Sequence, residues 1–275
     1  MMLRIGRIEY ANCTPLYHQL MELFPCDGYD FIAGVPAELN RKLAAGTIDV
    51  CPSSSIEYAL HPDDYLILPD ISISSCGAVG SVLLFSRFPI EKLNGSNILL
   101  SSESATSVNL LKILMSQLYG ASCSYTVTRN SFTEVSFDAD NPALLLIGDA
   151  ALRAALSGTD MYMYDLGTLW FDWTGLPFVF ALWLCRRDAA CNEDLKTLGR
   201  QLIASRESAT RSYGRIADCS LESDWMGRER LLSYWRHNIS YELAPPELYG
   251  LKLFYKKCHM SGLIASVPSL QFTEH

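Results

Sequence analysis

No apolar run in this chain is long enough to cross a bilayer, which takes about eighteen residues in succession. The longest, Leu176 to Cys185, is sized for a buried strand. The first residues, MMLRIGRIEYANC, lack the charged head, long apolar middle and small-residue cleavage site of an export signal, so a cytoplasmic location is expected. Paired cysteines are missing as well. All nine stand singly, with no CxxC and no Cys/His pair at zinc-ligand spacing, which excludes a disulfide framework and a structural zinc site. They read as reduced, mostly buried small apolar residues. Cys13, Cys51 and Cys76 have polar neighbours, yet no histidine is placed beside any of them to make a nucleophile.

Clustered positive charge is also absent. The net charge is -8 and the lysines and arginines are dispersed, which argues against nucleic acid and anionic membrane surfaces as partners. A small anion remains compatible, because backbone N–H groups and hydroxyls that converge can hold a carboxylate without a cation. None of GxGxxG, GxxxxGK[ST], GxSxG or HExxH occurs, so the nucleotide, serine-hydrolase and zinc-protease signatures are all missing. His18, His61, His237 and His259 are isolated in the sequence.

What is present is an ordinary globular composition, 49% hydrophobic and 19% charged. The first half alternates strand and helix patterns. Met2 to Tyr10 alternates like a strand, and Thr14-Pro15 supplies a cap and a first-turn proline for the helix that follows. Phe31 to Ala33 is extended, VPAELNRKLAAG is helical up to Gly46, Ile48 to Cys51 is extended, and the serines after it cap a helix beginning near Ile56. This β-α-β-α-β-α order predicts an α/β fold, a parallel sheet covered by helices. Beyond it come strands in LILPDISISS and GAVGSVLLFS, two strand-turn-helix units at ILLSSESATSVNLLKILM and ALLLIGDAALRAAL, and a helical last third from Asn192. Phe178 to Trp183 reads as a central strand buried on both faces, because its apolar run does not alternate.

Four strand-to-helix junctions carry small polar residues: Asn12-Cys13-Thr14, Ser53-Ser54-Ser55, Ser102 to Ser107, and Gly148-Asp149. In open α/β sheets ligands bind at that edge, where helix N-termini present free amides and a positive dipole end. Each junction taken alone is explained by capping; SSESATS, with five hydroxyls in seven residues, holds more than one cap requires. Arg87, between SVLLFS and FPI, is a further place for a ligand carboxylate, although solvation at a lobe boundary explains it better.

Taken together, IGRIEYANCTPLY, LAAGTIDVCPSSSIEY, LPDISISSCGAVGSVLLFS, SESATSVNLLKILM, LLIGDAALRAAL, DLGTLWFDWTGLPFVFALW and ISYELAPPELYGLKLFY make the chain resemble the chorismate dehydratase family of the futalosine route to menaquinone. The resemblance runs along nearly the whole chain. It implies a two-lobed type 2 periplasmic-binding-protein-like fold with a ligand cleft between the lobes. Lobe I would hold residues 1–86 with 176–275 and lobe II residues 87–175, the chain crossing at SVLLFSR and returning at TGLPFVF. The implied activity is a hydro-lyase converting chorismate to 3-[(1-carboxyvinyl)oxy]benzoate with no metal or organic cofactor.

The site residues implied are Asn12 beside the reacting ring, Ser54 and Ser81 from lobe I, and Ser104, Thr106 and Ser107 gripping a carboxylate. Asp149 would line the cleft or order its loop, and Trp173 and Thr174 would stand at its margin. GAVGSV in place of the family's usual Gly-Pro pair, and the serine-rich turn, leave Ser53, Ser54 and Ser55 unranked as contacts. Two other functions fit the same fold: the pathway's 1,4-dihydroxy-6-naphthoate synthase, which the SESATSV and WTGLPFVFALW blocks resemble less, and a non-catalytic small-carboxylate binding protein, which an export signal would favour. Monomer and homodimer are equally open.

Overall fold

The structure is a computed structural model describing residues 2–274, so the outer limits of lobe I at 1 and 275 lie outside the described residues. In chain order the elements begin β1 (Leu3–Arg7), α1 (Thr14–Leu23), β2 (Tyr29–Ala33), α2 (Pro36–Ala44), β3 (Val50–Ser54), α3 (Ser55–Leu60) and β4 (Tyr65–Ser75). Next come β5 (Val82–Ser86), β6 (Asn97–Ser101), α4 (Ala105–Ile113), β7 (Ser124–Thr128), β8 (Ala143–Ile147), α5 (Gly148–Leu156), β9 (Tyr162–Asp165) and α6 (Leu166–Thr174). The chain ends with β10 (Phe178–Arg186), α7 (Glu193–Cys219), α8 (Glu222–Met226), α9 (Arg228–His237), β11 (Ser240–Leu243) and α10 (Pro245–Met260).

These strands make two sheets. The first has the order β11-β4-β10-β3-β1-β2 and the second β7-β6-β8-β5-β9. The first is mixed rather than parallel, against the expectation above: β1 pairs parallel with β2 and β3, while β10 runs antiparallel between β3 and β4 and β11 antiparallel on β4. A strand buried on both faces reads the same in either direction, so its apolar run does not report polarity. β5 pairs with β8 and β9 in the second sheet, so the outward passage lies before Val82 and not at residue 86. The return is at Gly175 to Pro177, between α6 of the second lobe and β10 of the first.

Local chemistry sets the element ends. Pro15 and Pro36 occupy the first turns of α1 and α2, where a missing N–H costs nothing. Thr14 is already helical, with Cys13 before it as a cap that makes no side-chain bond, so the expected threonine cap is not used. Asp165 caps α6 by accepting from Thr168 N at 3.0 Å, and Gly175 ends that helix at φ +69°. Helix α6 is not read from the sequence, since the nine residues of LGTLWFDWT include a glycine, two threonines and three aromatics, all modest or poor helix formers. β11 likewise interrupts the helical last third, and β3 extends through Ser53 and Ser54, which are strand residues in place of free caps.

The core fills the space under β10. Trp170 of α6 donates its indole N–H to Pro177 O at 3.3 Å and meets Phe178 edge-on with centroids 5.2 Å apart; Phe178 in turn packs on Phe254 of α10 at 4.9 Å. The segment that rejoins the lobes is thereby anchored from both.

Candidate active site

The cleft between the two sheets holds a cavity of about 60 Å³, walled by both lobes. Its polar lining comes from Tyr10, Asn12, Ser54, Ser81, Ser104 and Ser107; Ile8, Ile73, Val82 and Phe180 are among the apolar walls. No Asp, Glu, His, Cys, Lys or Arg side chain lines it. Among the described residues no three His, Cys, Asp or Glu side chains gather as a metal-ligand set.

Asn12 sits on the loop after β1, and that loop is fixed at consecutive residues. Ala11 N donates to Asp149 Oδ1 at 2.9 Å, Ala11 O accepts from Trp235 Nε1 at 2.7 Å, and Asn12 O accepts from the Tyr241 hydroxyl at 2.6 Å. With its backbone held this way, the side chain is left with a buried Oδ1 that has no partner among the described residues. An unpaired buried carbonyl costs about 1–3 kcal/mol. Asn12 is among the residues that line the cavity.

Ser54 has the same character at the end of β3. Its Oγ is buried without a partner, whereas Ser53 pairs with Cys51 Sγ at 3.2 Å and Ser55 donates to Val179 O at 2.7 Å. Ser81, just before β5, accepts from the Tyr234 hydroxyl at 2.9 Å; its own proton meets only Val79 O at 3.5 Å and is available to a ligand. Tyr234 is fully buried and its phenol is pushed far up by that burial, so it remains a donor.

From lobe II, Ser104 caps α4 by accepting from Ser107 N at 3.4 Å, and the two hydroxyls lie 3.2 Å apart. A helix start leaves its first amides without intrahelical partners, so α4 brings both hydroxyls and a positive dipole end to the cavity. Together these neutral donors suit a carboxylate.

The remaining sequence candidates fall elsewhere. Thr106 is fully buried beside the cavity, its Oγ1 accepting from Ile56 N at 3.2 Å, and so it ties α4 to lobe I and does not face the cleft. Asp149 orders the Asn12 loop through Ala11 and stands outside the cavity wall; its carboxyl is raised, first by burial, against the lowering effect of the Ala11 amide. Trp173 and Thr174 are not brought to the cavity. Trp173 lies edge-on to Trp170 under the Lys257 ammonium, 3.5 Å from the ring centre, and Thr174 bonds back to Trp170 O at 2.8 Å. Cys13 and Cys51 are buried, and burial pushes the Cys51 thiol up to about 12, so neither is a thiolate. Arg87 is exposed on lobe II and donates to Phe137 O at 2.7 Å.

One polar residue of the wall, Tyr10, is not singled out by the sequence. It lies in the loop after β1 at the same sheet edge as Asn12, and Gly148, at a junction noted above, begins α5 at φ +57° against the Tyr10 ring. Their shared signal is position: both lie where a strand releases the chain toward a helix.

A family model described as menaquinone biosynthesis matches residues 3–260. The curated chorismate dehydratase of Thermus thermophilus is 36% identical over 268 residues, 91% of this chain and 93% of that protein. Among solved structures, a protein from Archaeoglobus fulgidus superposes with a TM-score of 0.78 at 20% identity, covering 96% of this chain and 98% of that one. The periplasmic aliphatic sulphonate binding protein of Escherichia coli superposes with a TM-score of 0.63 at 16% identity, covering 100% of this chain and 94% of that one. At those identities the structures speak for the fold alone, which is periplasmic-binding-protein-like.

Proposed function

The chain belongs to the menaquinone-biosynthesis family, and from that premise we propose that it is a chorismate dehydratase, a hydro-lyase that converts chorismate to 3-[(1-carboxyvinyl)oxy]benzoate. The observation that carries the reading is the pairing of two buried polar atoms that have no partner among the described residues, Asn12 Oδ1 and Ser54 Oγ, with a cavity that has hydroxyl donors and no carboxylate, imidazole, thiol or cationic side chain.

The chemistry asks for that kind of wall. The C–H bond on the ring carbon bearing the enolpyruvyl ether breaks, its electrons form a new ring double bond, and the hydroxyl on the neighbouring carbon leaves as water. The ring becomes aromatic, so the step runs strongly downhill. The hydrogen removed is acidified through the ring double bond by the ring carboxylate, and negative charge gathers there as the bond breaks. Ser104, Ser107 and the first amides of α4 stabilise that charge, in a cleft that excludes water and strengthens each contact. Asn12 Oδ1 accepts from the ring hydroxyl and orients its departure; Ser54 and Ser81 fix the rest of the substrate.

With no carboxylate, imidazole or amine on the wall, the proton goes to the substrate's own enolpyruvyl carboxylate, which sits on the adjoining atom chain and hands it to the departing hydroxyl. Atoms balance as one water lost. Asp149, held by Ala11, and Glu103, held by Tyr10, lie off this path. The reaction is read as cytoplasmic, where the exposed Cys76, Cys191 and Cys219 stay reduced.

Incubating the purified protein with chorismate and following the mixture by chromatography and ultraviolet absorbance tests the reading. Loss of chorismate with growth of the substituted benzoate is expected, and Asn12→Ala should slow it by roughly 10²–10³ while melting like the wild type. Clear binding of chorismate without its consumption would assign a binding protein instead.

A further inference from the structure

Tyr10 crosses the cleft. It belongs to lobe I, yet its hydroxyl donates to Oε2 of Glu103 in lobe II at 2.7 Å, and its ring lies on Gly148, where an added Cβ would come within 2.8 Å of Tyr10 Cε2. Gly148, at φ +57°, therefore serves both the backbone turn and the ring. Burial, and after it the bond to the Glu103 carboxylate, raises the Tyr10 phenol far above its ordinary value, so it donates at any working pH.

Glu103 stands one residue before the Ser104 cap of α4, and its backbone carbonyl accepts from Ala37 N of lobe I at 3.2 Å. A carboxylate there is drawn to the positive end of the helix, the same end that receives the substrate's carboxylate. Left without a protein partner it would oppose an incoming dianion at short range. The reaction steps above use neither Tyr10 nor Glu103.

We infer that Tyr10 is a positioning residue whose bond to Glu103 keeps that carboxylate committed to the protein and off the start of α4, so that the cavity accepts a dianion. The inference rests on the dehydratase reading only for the identity of the dianion. Tyr10 thereby sets affinity more than the rate of elimination.

The test compares Kd for the product, itself a dianion and not turned over, by titration calorimetry, with KM and kcat for chorismate, in the full chain. Tyr10→Phe is expected to raise Kd and KM about tenfold and to lower kcat less than about threefold, in line with the loss of one hydrogen bond to a charged group. Glu103→Asp, still charged but too short to reach the phenol, should weaken affinity in the same way. Adding Glu103→Gln to Tyr10→Phe removes the charge and should return Kd to within about threefold of wild type, which a purely packing role for Tyr10 would not do. The inference is overturned if Tyr10→Phe leaves Kd unchanged, if its loss is confined to kcat, or if the double variant binds as weakly as Tyr10→Phe. Calorimetry needs no turnover, so an inactive wild type would overturn the reaction while this comparison still reads.

Discussion

Ser53, Ser54 and Ser55 of lobe I and Ser104, Thr106 and Ser107 of lobe II flank one cavity but are dealt out by different geometries. On β3 successive side chains point to opposite faces, so Ser54 reaches the cavity while Ser53 turns to Cys51; Ser55, already the first residue of α3, turns to Val179. At the start of α4, positions three apart share a face, so Ser104 and Ser107 arrive together and Thr106 is turned away onto Ile56. One cluster presents a single unpaired hydroxyl from a strand end, the other a hydroxyl pair reinforced by a helix dipole. The difference teaches that a run of hydroxyls in a sequence counts potential donors, and the secondary structure decides which remain free.

Exchanging the free and committed members breaks or sharpens this contrast. The largest effect is expected at Ser54→Ala, with kcat/KM on chorismate down roughly tenfold and stability unchanged or higher, because the lost hydroxyl has no partner among the described residues. Ser55→Ala should do the reverse, costing about 1–2 kcal/mol in a denaturant melt by orphaning Val179 O. Equal behaviour of the two would end the distinction between them. Next comes Thr106→Val, which keeps the shape and removes the acceptor for Ile56 N; a loss of about 1–3 kcal/mol is expected, with catalysis following only as far as the lobes loosen.

The smallest effect concerns Asp149. Its folded carboxyl is raised above the ordinary carboxylate value, so the folded state binds that proton more tightly than the unfolded state does. Its favourable contribution is therefore complete below the ordinary value and is lost as pH climbs through the raised one. Asp149→Asn keeps an oxygen for the Ala11 amide and carries no charge, so it should flatten this stretch of the stability-against-pH curve and melt no lower than wild type at neutral pH. A steeper curve in the variant would refute that account.

Much of the fold is legible in the residues. In the first two strand-helix units a proline in the first helical turn agrees with the strand before it, and the second adds a glycine stop at Gly46; such agreement is what makes a segment readable. β10 is legible as buried but not as antiparallel, and β5 is legible as a strand but not as a member of the second sheet, because direction and partner are settled by contacts distant in sequence. At the site, Asn12, Ser54, Ser81, Ser104 and Ser107 fall together on the cavity wall. Thr106 and Asp149 are explained by partners across the cleft, and Trp173 and Thr174 by the packing of α6. Tyr10 escapes notice because its partner, Glu103, lies in the other lobe.

The insertion of β10 between β3 and β4 also dictates an order of manufacture. On the ribosome the second lobe is contiguous and can close its sheet once β9 has emerged, whereas the facing edges of β3 and β4 stay open until Phe178–Arg186 follows. Closing a pairing over so long a loop is slow, and open strand edges invite other chains in the meantime. A nascent chain halted at Gly175 would thus carry a finished second lobe on a gaping first one, the form in which this protein most needs a chaperone.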